Sequence, residues 1–462
     1  MNIIVKQAIA PKLDHSGKPI LLTDHTIKLR KQKILNLMQE ANLSSLVVYA
    51  DKEHGSNFEY VTGFIPRFEE GLQILNQDGS STLVLGNENY NKVRFSRAES
   101  EGVHCPLFSL SNQPMGDFRP LVHYLRQVNI DTSQRVGVVG WKLLSNDFSD
   151  FHQNFDLPAF VIDALAEVVG KNKLVNATQI YMHPGRGARV TNNANEIAHY
   201  EYGASLASDA VLSALNALEE GVRETEIGNL LNRDGQYQNV VTISAFGDRF
   251  INANLYPTNR QLKKGDKVAL TVSYKGGLSS RSGYAVSNVD ELESVDPGYL
   301  EEVVIPYFKA YNWWLQNIAI GIKGAEFYDS FAEYYPQSKY GWELCPGHLT
   351  ADEEWMSSPF YKGSDALVQS GNIFQVDFIP IQEGHNGVSA ESTVALADGS
   401  LIQEIQTEYP ELWERIESRR NYLKENLNIH LKPEILPLTS TLGYYRPFFL
   451  NSELVLAVEK IK

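Results

Sequence analysis

Residues 373–379 read Ile373-Phe374-Gln375-Val376-Asp377-Phe378-Ile379, and residues 390–394 read Ala390-Glu391-Ser392-Thr393-Val394. The first is an apolar, strand-like run with one carboxylate set inside it. An unpaired charge in such surroundings is costly, so Asp377 calls for a partner or a polar cleft. Glu391, with Ser389 close by, repeats the pattern. Upstream, Pro346-Gly347 is a turn signal that leads into His348. His385 lies in the intervening loop between Gly384 and Gly387. Further out, strand-like runs at 240–244 and 267–274 alternate with helical stretches at 299–320 and 325–335. Asn193 and Glu196 stand at capping-box spacing. Ile197, Tyr200, Ala204, Ala207, Val211, Leu215 and Leu218 then recur at helical spacing, ending near Gly221. Toward the amino terminus, a helical stretch at 28–41 and strands at 46–50, 81–85 and 135–140 suggest an α/β domain. The tail beyond 407 is helical to 425, then apolar and proline-bearing, which predicts that it packs on the body. These textures divide the chain into 1–178, 179–408 and 409–462.

A chain of 462 residues is too long for one compact core. Its 41 basic and 56 acidic residues leave a formal charge of −15, with the Lys and Arg scattered. Such a surface repels nucleic-acid phosphates and anionic membranes. No apolar run of about 18 residues exists, so the expectation is no membrane span. Cys105 and Cys345 have no metal-type spacing. Two cysteines exclude a disulfide framework and suggest a reducing, cytoplasmic setting. The first fourteen residues lack the apolar core of a secretory signal.

Five phrases occur in order: Asn57-Phe58-Glu59-Tyr60-Val61-Thr62-Gly63-Phe64; Gly221-Val222-Arg223-Glu224-Thr225-Glu226; Tyr256-Pro257-Thr258-Asn259-Arg260 with Gly265-Asp266-Lys267-Val268; Pro346-Gly347-His348; and the two runs quoted above. Together they resemble the pita-bread hydrolases, a family that includes aminopeptidase P, prolidase, methionine aminopeptidase and creatinase. The resemblance spans residues 20–405. It implies a creatinase-like α/β amino-terminal domain and a pseudo-symmetric pita-bread domain of α+β character. It also implies cleavage of amide or related C–N bonds, often next to proline, and a homodimer. Most active members hold two divalent ions on two Asp, one His and two Glu. The ions acidify a shared water and polarise the scissile carbonyl.

Position by position, this chain departs from that ligand set. Thr271 stands where the first Asp is expected and Ser282 where the second is expected. His348 and Glu391 match ligands, and Asp377 replaces the usual Glu. The family's substrate-contacting histidine falls near Asn254, and creatinase's first catalytic carboxylate falls near Tyr284. The surviving carboxylates supply about −2 against the +4 of two ions, so a dinuclear site is electrostatically disfavoured. The expectation is therefore no cofactor, with one divalent ion on His348, Asp377 and Glu391 as the alternative.

His348 would then be the catalytic base, since an imidazole with an ordinary pKa near 6.5 suits proton transfer at neutral pH. Asp377 and Glu391 would orient it or the substrate. Arg281, Tyr284, Asn254 and Trp355 are candidate contacts to a small-molecule or peptide substrate. Trp355 follows the acidic run Asp352-Glu353-Glu354, which suits a cationic group. Strand alternation sets Arg281 opposite to Ser280 and Ser282, so Arg281 faces the cleft only if a bulge intervenes. Three functions follow from these residues: a hydrolase without the dinuclear metal site, a non-catalytic binding protein, and a mononuclear peptidase of Xaa-Pro type.

Overall fold

The computed structural model describes residues 1–14, 18–113, 118–144, 151–248 and 256–460. The chain forms two compact units, one of residues 22–190 and one of residues 1–21 together with 191–462.

The smaller unit is built on a six-stranded mixed sheet. Leu43–Ala50 is its central strand, and all eight residues are buried. It pairs antiparallel with Gly71–Asn76 and parallel with Arg135–Val139. Gly71–Asn76 returns through a tight turn into Ser81–Leu85, with Gly79 at φ 86°. Helices pack on the sheet, and Thr23 caps one of them, Asp24–Glu40, by accepting from the Thr26 amide. The phrase at 57–64 serves packing in this unit. Ser56–Thr62 is a short helix ended by Gly63 in the left-handed region. The Asn57 amide donates to Gly140 O at 2.8 Å, and Arg189 donates to Asn57 Oδ1 at 2.8 Å. The Tyr60 hydroxyl donates to Ala188 O at 2.8 Å. These bonds tie residues 188 and 189 to the smaller unit, so it runs to 190 rather than ending at 178.

The larger unit repeats one pattern twice. The helix Ala194–Asn216 is followed by Gly221 and the helix Glu224–Leu231, then by the strands Ile243–Phe246, Lys267–Tyr274 and Gly277–Tyr284. The helix Ile305–Asn317 is followed by Gly321 and the helix Gly324–Tyr334, then by the strands His348–Leu349, Ile373–Gln375 and Thr393–Leu396. The correspondence extends to backbone bonding. The Gly221 amide donates to Leu262 O and the Gly321 amide to Val368 O, while Arg223 bridges Gln261 and Lys323 bridges Leu367. Asn193 and Glu196 form the expected capping box.

The tail is structural. Ile435–Pro437 is the fourth strand of the second sheet, beside Thr393–Leu396. Leu454–Val458 pairs with Ile3–Gln7, and residues 434–449 are buried almost throughout. A buried ion network fixes the helix Pro410–Tyr422 to the helix Ala194–Asn216. Arg415 contacts Glu201 at 2.6 Å, and Arg419 contacts both Glu201 and Asp14.

Candidate functional site

The two sheets of the larger unit meet along one seam. Within the hairpin, Ser280 lies opposite Thr271 and Ser282 opposite Ala269, so these four residues share a face. The chain at 389–391 runs beside that strand, with Ser282 N donating to Ser389 O at 3.2 Å and Ser280 N to Glu391 O at 3.4 Å. In the second sheet His348 pairs with Gln375, two residues before Asp377. Gly347 takes φ 100° and donates its amide to Asp377 O, and a Cβ there would meet Gln375 O at 2.9 Å. The Pro-Gly turn is thus the feature that seats His348 against the sheet. The result is a cavity of about 530 Å³, whose walls include Thr271, Ser280, Ser282, Asp377, Ser389 and Glu391.

His348, Asp377 and Glu391 are all buried, and each offers a ligand atom within 4.8 Å of the others. His348 Nε2 lies 3.0 Å from Glu354 Oε1 and 3.6 Å from Asp377 Oδ2. Neither approach has hydrogen-bond geometry, and Asp377 Oδ1 has no hydrogen-bond partner among the described residues. The Trp355 ring stacks on the imidazole with centroids 4.0 Å apart. Glu391 is held from one side by Gln375, whose Nε2 donates to Glu391 Oε1 at 2.9 Å. The Thr393 hydroxyl donates to Gln375 Oε1 and so orients that amide.

The charges follow from burial and proximity. Burial lowers the affinity of His348 for its proton, but Glu354 and Asp377 outweigh it and lift the imidazole to about 10. Burial raises the Asp377 carboxyl above its ordinary value, against the pull of His348. Burial raises Glu391 well above its ordinary value, and repulsion from Asp377 and Glu354 adds to the shift. His348 therefore keeps its proton at neutral pH, and both carboxyl groups are shifted toward their neutral forms.

The other expected contacts are distributed differently. Arg281 points away from the cavity, as alternation requires, and no bulge reverses it. Its five N–H groups donate to Tyr444 O (3.0 Å), Ser280 O (2.6 Å), Glu391 O (3.0 Å), Thr441 O (2.5 Å) and Ser392 Oγ (3.5 Å). It is a clamp between the hairpin, the Glu391 segment and the tail, and no donor remains for a substrate carboxylate. Tyr284 is also outside the cavity lining, and its hydroxyl donates to Asp296 Oδ2 at 2.7 Å. His385 and the Asn386 amide meet the same carboxylate. Trp355 lines the cavity and is 39% exposed. Asn254 lies outside the described residues.

Glu354, Gln375 and Ser389 are site residues that sequence reasoning did not assign. The acidic run is not one solvated loop. Leu349 N donates to Ser357 O and Met356 N to Leu349 O, so residues 350–356 fold back over His348. Asp352 is buried beneath Lys275 and Tyr200, whereas Glu354 reaches the imidazole.

The donor set fits at most one divalent ion. Thr271 and Ser282 present neutral hydroxyls where a second ion would need carboxylates, and Thr271 Oγ1 already donates to Ser280 Oγ at 3.0 Å. One imidazole nitrogen and the oxygens of Asp377 and Glu391 are close enough for a single ion of the Mn, Mg or Zn type.

Residues 30–182 match the family model of the creatinase/prolidase N-terminal domain. Among solved structures, the prolidase from Pyrococcus horikoshii is similar over 80% of this chain and 95% of its own, at 16% identity and a TM-score of 0.59. The Xaa-Pro dipeptidase from Bacillus anthracis is similar over 81% and 96%, at 16% identity and a TM-score of 0.58. The X-Pro aminopeptidase from Thermotoga maritima is similar over 80% and 95%, at 14% identity and a TM-score of 0.58. No curated protein matches by sequence. The fold expected from the five phrases is the fold observed: a creatinase-like α/β domain followed by a pita-bread domain.

Proposed function

We propose that this chain, built on the fold of prolidases and Xaa-Pro peptidases, is a hydrolase-like enzyme. It would cleave an amide or peptide C–N bond of a small substrate without a dinuclear metal site. The supporting observation is the clustering of His348, Asp377 and Glu391, of which Asp377 and Glu391 line one open cavity while His348 lies buried beside them. The protonation pattern reassigns their roles. His348 carries its proton and lies behind the cavity lining, so it serves as a fixed positive charge beside Asp377 rather than as base. Asp377, with Oδ1 turned to no other group, takes the proton of the attacking water. Water adds to the carbonyl carbon, Asp377 passes the proton to the leaving nitrogen, and the C–N bond breaks to give an acid and an amine. Glu391 is held in place by the Gln375 amide and lines the cavity beside Asp377.

If one divalent ion is present, His348, Asp377 and Glu391 hold it, and it supplies Lewis-acid polarisation of the carbonyl. The second reading is a non-catalytic peptide-binding protein. The observation favouring it is the contact of Glu354 with His348 Nε2, which engages the nitrogen a base would use. A homodimer and a cytoplasmic setting belong to the same proposal; among the described residues no helix is long and apolar enough to cross a membrane.

The test is release of amine from Xaa-Pro dipeptides and small amides by purified protein whose metal content has been measured. Turnover lost on Asp377→Asn, by about two orders of magnitude or more for a general base, supports the hydrolase. Stoichiometric Mn, Zn, Co or Fe in the active protein selects the mononuclear form. Saturable peptide binding with no turnover, with or without added Mn2+, selects the binding protein.

A further inference from the structure

The cavity holds more than the catalytic constellation needs. Its volume of about 530 Å³ lies within the range of small-molecule sites, roughly 300–1,000 Å³. Its charge is one-sided. Three carboxyl groups, from Glu354, Asp377 and Glu391, line the interior. The lining cation, Lys267, is already paired with Asp248 at 3.0 Å.

Two buried polar atoms in the lining lack hydrogen-bond partners among the described residues: Asp377 Oδ1 and Ser389 Oγ. A buried acceptor without a donor costs about 1–3 kcal/mol, and a ligand that donates two or three hydrogen bonds removes that cost. Part of the exposed rim is apolar, and the Lys267–Asp248 pair forms a polar part. Trp355 covers His348 with one ring face, and the residue as a whole is 39% exposed. Leu344 and Ile379 also line the mouth, and Leu344 is 55% exposed at φ 66°.

We propose that the pocket recognises a protonated amine on an apolar stem, with Asp377 Oδ1, Ser389 Oγ and the Glu354 carboxylate receiving the ammonium and Trp355 and Leu344 flanking the stem. An ammonium group supplies three donors and one positive charge, which matches the orphaned acceptors and the carboxylate excess. The face of Trp355 turned away from His348 adds cation–π attraction. Asp377, which stands at a metal-ligand position of the family, would thus bind the ligand's own cation. The inference takes the same cavity as the proposed function and places an ammonium on the oxygen that reading gives to the attacking water, so the two describe alternative occupants of Asp377 Oδ1.

The test uses n-butylammonium and its neutral analogue 1-butanol, titrated into full-length protein in EDTA and followed by tryptophan fluorescence and calorimetry. Expected is saturable binding of the amine at least tenfold tighter than the alcohol. Asp377→Asn and Glu354→Gln should each weaken it about tenfold. Trp355→Leu should weaken it roughly twofold to fivefold. Circular dichroism and thermal melting establish that each variant is folded, and Ser389→Ala provides a second folded variant whose binding should weaken. Equal affinity for amine and alcohol overturns the proposal. So does stoichiometric Mn2+ uptake that abolishes amine binding. Amine binding without turnover removes the hydrolase reading and supports this one. Hydrolysis of N-acetylated substrates as fast as of the same amides with a free amino group does the reverse.

Discussion

Arg281→Lys separates the two roles that Arg281 could have had. In the structure its guanidinium is fully buried and meets four main-chain carbonyls and one hydroxyl. Those carbonyls belong to the hairpin, the Glu391 segment and the tail, which are far apart in sequence. Lysine carries three donors at a single point and cannot reproduce the planar fork. At least two buried acceptors therefore lose their donors. At about 1–3 kcal/mol for each orphaned acceptor, the expected loss is about 2–6 kcal/mol. That is a large fraction of the roughly 5–15 kcal/mol that holds a typical domain together. The measurement is urea unfolding monitored by tryptophan fluorescence and far-UV circular dichroism, with ligand titration at low denaturant. The folded variant should bind the probe amine nearly as well as the parent. A variant within about 0.5 kcal/mol of the parent in stability, the usual scatter for a surface change, but with weakened binding, would refute the clamp and return Arg281 to the site.

Three further outcomes follow from the same structure. Burial raises the Glu201 carboxyl, but Arg419 and Arg415 outweigh it and hold it below its ordinary value of 4.5. Its stabilisation is therefore present above about pH 4.5 and is lost as pH falls through the folded value. Glu201→Gln should cost about 3–5 kcal/mol near neutrality, and the gap to the parent in denaturant melts should close in acid; a pH-independent gap contradicts the ion network. The double variant Thr271→Asp, Ser282→Asp returns both missing carboxylates to the cavity face. It should take up two Mn2+ per chain by elemental analysis where the parent takes at most one, and at a hundredfold excess over Kd gain about 2.7 kcal/mol of unfolding free energy for each ion bound; unchanged uptake would show that the vacated positions do not account for the metal deficit. Leu344→Gly relieves a left-handed backbone carrying a bulky side chain. It should gain about 1 kcal/mol in stability while weakening amine binding, and a loss of stability would show that Leu344 packs more than its exposure implies.

The larger features were legible because they rest on local chemistry. The capping box at Asn193 and Glu196, the Pro-Gly turn before His348 and the alternation through Ser280, Arg281 and Ser282 each need only a few neighbouring residues. Alternation even carried the right answer for Arg281, because the hairpin register runs without a bulge. Glu354 was harder. Its role depends on residues 350–356 folding back on Leu349, and an acidic tripeptide in a loop carries no local sign of that path. The two-fold repeat in the larger unit came from the resemblance to a pseudo-symmetric domain, and its residue-level trace is short: Gly221-Val222-Arg223 and Gly321-Ile322-Lys323 share a left-handed glycine, an aliphatic residue and a bridged basic residue. The extent of the smaller unit is set by Asn57 and Tyr60 reaching residues 188 and 189, a pairing distant in sequence.

The state of His348 links the missing ligands to what the pocket can do. A metal-bound imidazole must present a lone pair, so it must be neutral. Here Nε2 faces Glu354 and Asp377, and both favour a proton on it. The cavity has thus replaced positive charge supplied by ions with one positive charge on its own imidazole. That charge offsets one of the surrounding carboxylates, and burial with repulsion from Asp377 and Glu354 shifts Glu391 toward its neutral form. Asp377 turns one oxygen toward His348 and leaves the other without a partner among the described residues. That oxygen is where an incoming water or ammonium proton would go. Arg281 stays out of this balance because its hydrogen-bonding capacity is used by the backbone behind Glu391, which frames the site through protein contacts alone.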